Sequence, residues 1–202
     1  MRGVLYVAYG SNLDLDRFRC YLLGGTAEGA LRSNPGSRDR AGWGLTFSAY
    51  TRHQVYFAGR SATWGGGGMA FLRVEPQDPV RTPVRVYLIS GVQFEDLVAQ
   101  ENGRVPGSVE IDLEPLGLPG IHAGDWGLYD TIVSWGTGIS DWPIVTVTTG
   151  RALSPSRPSA VYLRTVARGL RHTHGLSDPE LNEYLGGLEG MDPDGAQLRE
   201  VT

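Results

Sequence analysis

The chain has very little cysteine. Cys20 is the only one in 202 residues, so no intramolecular disulfide can form, nothing calls for an oxidising compartment, and a cytoplasmic location is the expectation. Long apolar runs are also lacking: none approaches the ~18 residues that a membrane-spanning helix needs. The N-terminus passes from one arginine straight into a strand pattern, without the apolar core of a signal peptide. Basic charge is not in excess, with 18 Lys+Arg against 22 Asp+Glu, a formal charge of −4 and a pI near 5.5. That scattered balance gives no electrostatic footprint for nucleic acid or an anionic membrane. What remains is a protein that handles small molecules. Its size, 202 residues and 21.9 kDa, suits one core. A single domain over 1–202 is expected, with a polar tail that frays over 191–202. Helical patterns are few and short, while 29 glycines and 12 prolines supply many turns, a composition that favours short strands.

The most informative stretch is Leu5-Tyr6-Val7-Ala8-Tyr9-Gly10-Ser11-Asn12-Leu13. Val4 to Val7 read as the end of a buried strand, and Tyr9 to Asn12 break it with turn-forming residues. Asp14 or Asp16 starts a helix. A strand that ends in a Gly-Ser-Asn loop ahead of a helix presents free backbone N–H groups, which favour a carboxylate, a phosphate or a developing oxyanion.

Further on, Leu13 to Leu23 has helical spacing, with Leu15, Phe18 and Leu22 on one face and Asp14, Asp16, Arg17 and Arg19 elsewhere. Gly24-Gly25 ends it. Residues 26–42, with Ser33-Asn34-Pro35-Gly36-Ser37, read as an exposed loop. Strands are expected at Gly44 to Ser48, His53 to Phe57, Met69 to Val74, Val84 to Ser90 and Pro143 to Thr149. The glycine run Gly65 to Gly68 reads as a flexible loop or a ligand cradle, and no Lys-Ser/Thr follows to make it a P-loop. Gln93 to Gln100 has helical spacing and ends at Glu101, with Asn102-Gly103 as the stop. A carboxylate at the C-terminal end of a helix opposes the macrodipole, and a residue set against its local preference is sometimes there for chemistry.

The stretch 104–140 is rich in glycine, proline and tryptophan and reads as a strand over Glu110 to Glu114 plus long loops, with Trp126, Trp135 and Trp142 as packing anchors. Ser159 caps a helix through about His174, and Ser177-Asp178-Pro179-Glu180 opens the last one with a capping box. His172 and His174, two apart on a helix, face different ways, so no metal site is read there. Cys20 reads as a structural thiol.

The order of landmarks resembles that of the γ-glutamylcyclotransferase-like family over nearly the whole chain. They are Tyr9 to Leu13, Phe47, Trp64 with Gly67-Gly68-Met69-Ala70, Val84 to Ser90, Gln100-Glu101, Pro158 to Tyr162, and Gly175-Leu176 to Tyr184. Some matches fail. The family's Leu-Asp-x-x-Glu-Gly is Val98-Ala99-Gln100-Glu101-Asn102-Gly103 here, a tyrosine common after the glutamate is absent, and Thr148 stands where some members have a second tyrosine.

The resemblance implies an α+β fold, a small mixed β-barrel with a few short helices. It also implies a reaction without metal or organic cofactor: the α-amine of a γ-glutamyl group attacks its own side-chain amide, closing 5-oxoproline and releasing an amine or amino acid. Glu101 is then the catalytic acid–base, first taking a proton from the amine and then giving one to the leaving group. Its place is a pocket, where burial raises its pKa. Tyr9, Gly10, Ser11, Asn12 and Leu13 form the substrate-binding loop, whose N–H groups meet the oxyanion or the substrate α-carboxylate. Tyr162 donates a hydrogen bond. The partner is a small γ-glutamyl compound, and oligomeric state is open. Two alternatives stand beside this reading: a non-catalytic binding module on the same fold, and an enzyme removing a γ-glutamyl protecting group from a biosynthetic amine.

Overall fold

A computed structural model describes residues 3–192 and Leu198. The tail expected over 191–202 therefore lies largely outside the described residues. Eight strands, β1 (Gly3–Ala8), β2 (Thr46–Thr51), β3 (His53–Ala58), β4 (Met69–Pro76), β5 (Thr82–Ser90), β6 (Pro119–Ala123), β7 (Thr131–Thr137) and β8 (Pro143–Thr148), form two sheets. Four helices accompany them: α1 (Leu15–Leu23), α2 (Gly91–Glu101), α3 (Ala160–His174) and α4 (Asp178–Gly186).

The main sheet runs β2-β5-β1-β8-β7-β6, and β3 and β4 pair as a separate hairpin. Only β1 and β8 run parallel; the other pairs are antiparallel. β1 is buried along its whole length, as expected of a charge-free strand covered on both faces. Val4, Tyr6 and Ala8 enter one core with Phe18, Tyr87, Phe94 and Leu97. Leu5 and Val7 enter the other with Leu13, Leu163, Val166 and Leu170. The period-2 alternation of side chains thus makes one strand the partition between two cores.

The α+β class and mixed sheet agree with expectation, but among the described residues the sheets do not close into a barrel. The reason lies at Thr148. Its hydroxyl accepts from Leu72 N (2.9 Å) and donates to Leu72 O (2.7 Å), so β4 meets β8 through one side chain where a barrel would have a backbone ladder.

Local signals account for the element ends. Asp14 is the N-cap of α1, its carboxylate accepting from Arg17 N at 2.9 Å, and Gly24 ends the helix at φ 83°. Ser90 and Gln93 form a capping box at the start of α2, Ser159 caps α3, and Ser177 with Glu180 caps α4. Two expectations fail. Glu110 to Glu114 is irregular, and the strands of that region are β6 and β7. The alternation itself is real, with Ile111 and Leu113 packed against the core and the carboxylates between them exposed, but among the described residues the segment pairs with no strand. The segment 26–42 is also no free loop. Ser37 is buried, and the buried Asp96 of α2 accepts from Ser37 Oγ, Arg38 N, Arg38 Nε and Gly107 N. One carboxylate thereby pins two loops to one helix.

Helix α3 crosses directly over the 3₁₀ turn Ser11–Leu13 because position 169 is glycine. A Cβ there would stand 2.5 Å from Leu13 Cβ and 2.6 Å from Asp14 N. Gly169→Ala should therefore lower stability by about 1–3 kcal/mol through overpacking, although alanine is the better helix former by ~1 kcal/mol. Chemical denaturation checks this, and an unchanged or raised midpoint would show the helix free to move away.

Candidate functional site

The turn after β1 and the C-terminal end of α2 face one another across a cavity of about 380 Å³. Pairing fixes the first: β1 lies between β5 and β8, so Tyr9 to Asn12 leave the sheet at its centre. Helix packing fixes the second, with Phe94, Leu97 and Val98 of α2 fully buried. Glu101, the last residue of α2, therefore reaches back over the strand end. Asn12 Nδ2 donates to Glu101 Oε1 at 2.9 Å and to the Tyr6 hydroxyl at 3.1 Å. Tyr87 Oη in turn donates to Asn12 O at 2.8 Å and fixes the turn.

Of the residues singled out in the sequence, Tyr9, Gly10, Ser11, Asn12, Glu101 and Tyr162 all line the cavity. Leu13 does not. It is buried beneath α3 against Gly169, because the 3₁₀ turn swings its side chain from the cavity into the core. Gly10 is favoured by crowding, since a Cβ would lie 3.0 Å from both Ala70 Cβ and the Tyr162 hydroxyl. That hydroxyl accepts from Ala70 N at 3.0 Å and is hydrogen-bonded with Ser11. It thus spans the hairpin and the turn, and burial pushes its pKa up to about 12. The phenol remains protonated, leaving its O–H as a donor at the cavity. Tyr9 is tied away, its hydroxyl donating to Val147 O at 2.8 Å.

The glycine run has a structural task. Cβ atoms at Gly67 and Gly68 would collide with Ser159 N at 2.4 Å and Ser156 O at 2.3 Å. Backbone contact there lets β4 lie against the segment leading into α3, which brings Ala70 within reach of Tyr162. The cradle is thus internal, holding chain against chain.

Glu101 is half-buried and lines the cavity. Desolvation raises its pKa, while Arg17, Tyr21 and Asn12 pull the other way. Its position at the negative end of α2 acts in the same direction as burial. The carboxyl thus binds its proton more tightly than a free glutamate.

Sequence reading missed Arg17, Tyr21, Asn34 and Gln100. Arg17, set off the apolar face of its helix in that reading, is buried, with Nη2 donating to the Tyr21 hydroxyl at 2.7 Å and Nη1 to Asn34 Oδ1 at 2.5 Å. The Tyr21 hydroxyl is itself hydrogen-bonded with Glu101. Gln100 links the two sides, accepting from Asn34 Nδ2 at 3.1 Å and donating to Tyr21 O at 2.9 Å. The spacing of Arg17 and Tyr21, four apart and each beside an apolar residue of the buried face (Phe18, Leu22), was the available signal.

The departures around Glu101 also find an explanation. Asn102 caps α2 and clasps residue 129: its Nδ2 donates to Val98 O and Tyr129 O, and its Oδ1 accepts from Tyr129 N. Tyr129 then lines the cavity, its hydroxyl donating to Ala70 O at 3.2 Å. An aromatic hydroxyl thus reaches the glutamate from α1, and that of Tyr129 lines the same cavity from the segment after residue 104. The charged residues lining the cavity are Arg17, Arg32, Arg104 and Glu101, so cations outnumber acids. Among the described residues no group of three or more His, Cys, Asp or Glu side chains could hold a metal ion, and no helix is long and apolar enough to cross a membrane.

The fold matches solved structures. A gamma-glutamyl cyclotransferase structure superposes with a TM-score of 0.53 at 18% identity, over 94% of this chain and 90% of that one. The crystal structure of an uncharacterized protein from Homo sapiens gives the same TM-score at 17% identity, over 95% and 91%. The chain has the γ-glutamyl cyclotransferase fold. By sequence it is 31% identical over 204 residues to histone deacetylase 5 of Arabidopsis thaliana, matching 90% of this chain. The chain spans only 30% of that relative's length, so the relative's name describes a much larger protein. No family model matches the sequence.

The raised pKa of Glu101 has a consequence for stability. The folded protein holds this proton more tightly than the unfolded chain does. The group's contribution is therefore complete below the unfolded value, 4.5, and is lost as pH rises through the higher folded value. Glu101→Gln keeps the acceptor for Asn12 and removes the titration. Melting curves should show this variant more heat-stable than wild type at about pH 8, with the difference closing toward about pH 4. A variant less stable at the higher pH would mean that the ionised carboxylate holds the site together.

Proposed function

We propose that the protein is a γ-glutamylcyclotransferase-type enzyme, which cyclises a γ-glutamyl amide or peptide to 5-oxoproline and releases the free amine or amino acid. One observation carries the reading: Glu101 and the turn at Tyr9 to Asn12, 89 residues apart at the Asn12–Glu101 hydrogen bond, share one cavity. The fold shared with a gamma-glutamyl cyclotransferase supports it.

In this mechanism the neutral α-amine of the γ-glutamyl group attacks the γ-carbonyl carbon with its lone pair and closes a five-membered ring, while Glu101 takes the one proton that the attacking nitrogen must lose. Negative charge moves to the carbonyl oxygen, where backbone N–H groups of the Gly10 to Asn12 turn and the Tyr162 hydroxyl stabilise it. Collapse of the tetrahedral intermediate breaks the bond to the leaving nitrogen, and Glu101 returns the proton there. The proton count closes without an external acid or base. The cavity contributes by holding the substrate folded, so that attack is intramolecular in geometry as well as in connectivity.

The test is a panel of γ-glutamyl amines and γ-glutamyl dipeptides incubated with the protein and assayed for 5-oxoproline by mass spectrometry. Wild type should turn over at least one member, and Glu101→Gln should lose about 10²–10⁴-fold in kcat. Binding without turnover would favour a non-catalytic module on this fold. Turnover unaffected by the substitution would remove Glu101 from the chemistry.

A further inference from the structure

Two polar atoms beside the cavity have no protein partner. Asn12 spends both amide N–H groups on Tyr6 and Glu101, yet its Oδ1 is buried and unpaired. Arg17 uses Nη1 and Nη2 on Asn34 and Tyr21, yet its Nε is buried and unpaired. Of the five N–H donors of a guanidinium, the protein engages two. A buried polar atom without a partner is destabilising, so two on residues lining one cavity signal a ligand that supplies what is missing. The demand has a definite chemistry: an acceptor for a cation, and a donor for an amide oxygen.

Charge sharpens it. Arg17 is 4% exposed, and among the described residues no carboxylate lies within ion-pair distance of it. Its guanidinium stacks on the Tyr21 ring, 4.3 Å to the centroid, and lies 5.4 Å from that of Trp64. Those contacts hold its plane and leave its charge to be met from the cavity. Only Glu101 opposes it there, through the intervening Tyr21 hydroxyl.

We propose that Arg17 binds the α-carboxylate of the ligand's amino-acid head, while Asn12 Oδ1 accepts an N–H from the adjacent amine. The ligand class is an α-amino acid whose side-chain carboxyl group is held in an amide, which deepens the function proposed above and rests on it. An α-carboxylate and an α-amine share one carbon, so a ligand that satisfies Arg17 must bring its amine to the Asn12–Glu101 edge. Arg17 thereby determines specificity and orients the nucleophile. The backbone N–H groups of the turn are left for the carbonyl oxygen, and the two anionic centres of the substrate go to different places.

The experiment compares 5-oxoproline with 2-pyrrolidinone, the same ring without its carboxylate, by calorimetric titration of wild type, Arg17→Met and Arg17→Lys. Wild type should bind 5-oxoproline roughly 10- to 100-fold tighter, as expected of charge-assisted hydrogen bonds. Arg17→Met should bind both rings equally while keeping a cooperative melt. Arg17→Lys, which keeps the charge without the planar fork, should show a reduced preference. Equal binding of the two rings by wild type, no binding of 5-oxoproline at millimolar concentration, or a folded Arg17→Met that retains the preference would each overturn the proposal. If Arg17→Met does not fold, the wild-type and lysine comparisons still decide. Failure here is separable from failure of the proposed reaction. Turnover without carboxylate preference removes only the role of Arg17. Carboxylate preference without turnover keeps that role and removes the cyclisation.

Discussion

A carboxylate withdrawn from water at the negative end of a helix is the constraint on which this structure turns. Glu101 loses solvation and faces the carbonyl end of α2, and both effects disfavour its charge. It is kept usable by Asn12 Nδ2 at 2.9 Å, by the Tyr21 hydroxyl, and by Arg17 behind that hydroxyl. None of these partners is near it in sequence. Each belongs to the first strand's turn or to the helix after it. The cavity therefore exists only when β1 and α1 are seated against α2, and the chemistry is tied to the packing of the first core.

Much of the remaining chain serves to hold that arrangement. Asp96, one turn and more before Glu101 on the same helix, fastens the segment containing Ser37 and Arg38 and the loop at Gly107. Asn102, the residue after Glu101, fastens Tyr129. The three side chains fall on different sides of α2, so the helix organises loops around its end while presenting one acid to the cavity. The β3–β4 hairpin supplies the opposite wall. It reaches the main sheet through Thr148 and reaches α3 through Ala70 and Tyr162. A side-chain hydroxyl in place of a ladder leaves the sheets open.

What could be read in advance followed local rules. Capping residues at Asp14, Ser159 and Ser177 placed helix starts to within a residue or two, because a cap satisfies backbone N–H groups a few positions away. The strands of the two cores were legible where burial on both faces leaves an apolar run, uninterrupted at Val4 to Val7 and broken only by Arg85 at Val84 to Ile89. Tyr9 to Asn12, Glu101 and Tyr162 were legible as a resemblance of ordered motifs. Leu13 travelled with its motif and proved to be core. The strand β7 was hidden by glycine and tryptophan, and Glu110 to Glu114 imitated a strand, because alternation of charge with aliphatic residues is also what a wet loop over a buried anchor shows.

By itself the sequence determined where helices begin, which strands have two buried faces, and that one glutamate sits against the dipole of its own helix. These depend on interactions within a few residues, whose partners are written next to each other. Only the tertiary structure decided that Arg17 and Asn34 meet at the glutamate's side of the cavity, that Asn102 draws Tyr129 inward, and that the barrel stays open at Thr148. Those outcomes depend on which distant surfaces are excluded from water together, and a buried charge or an unpaired amide oxygen becomes visible only after the chain has closed around it.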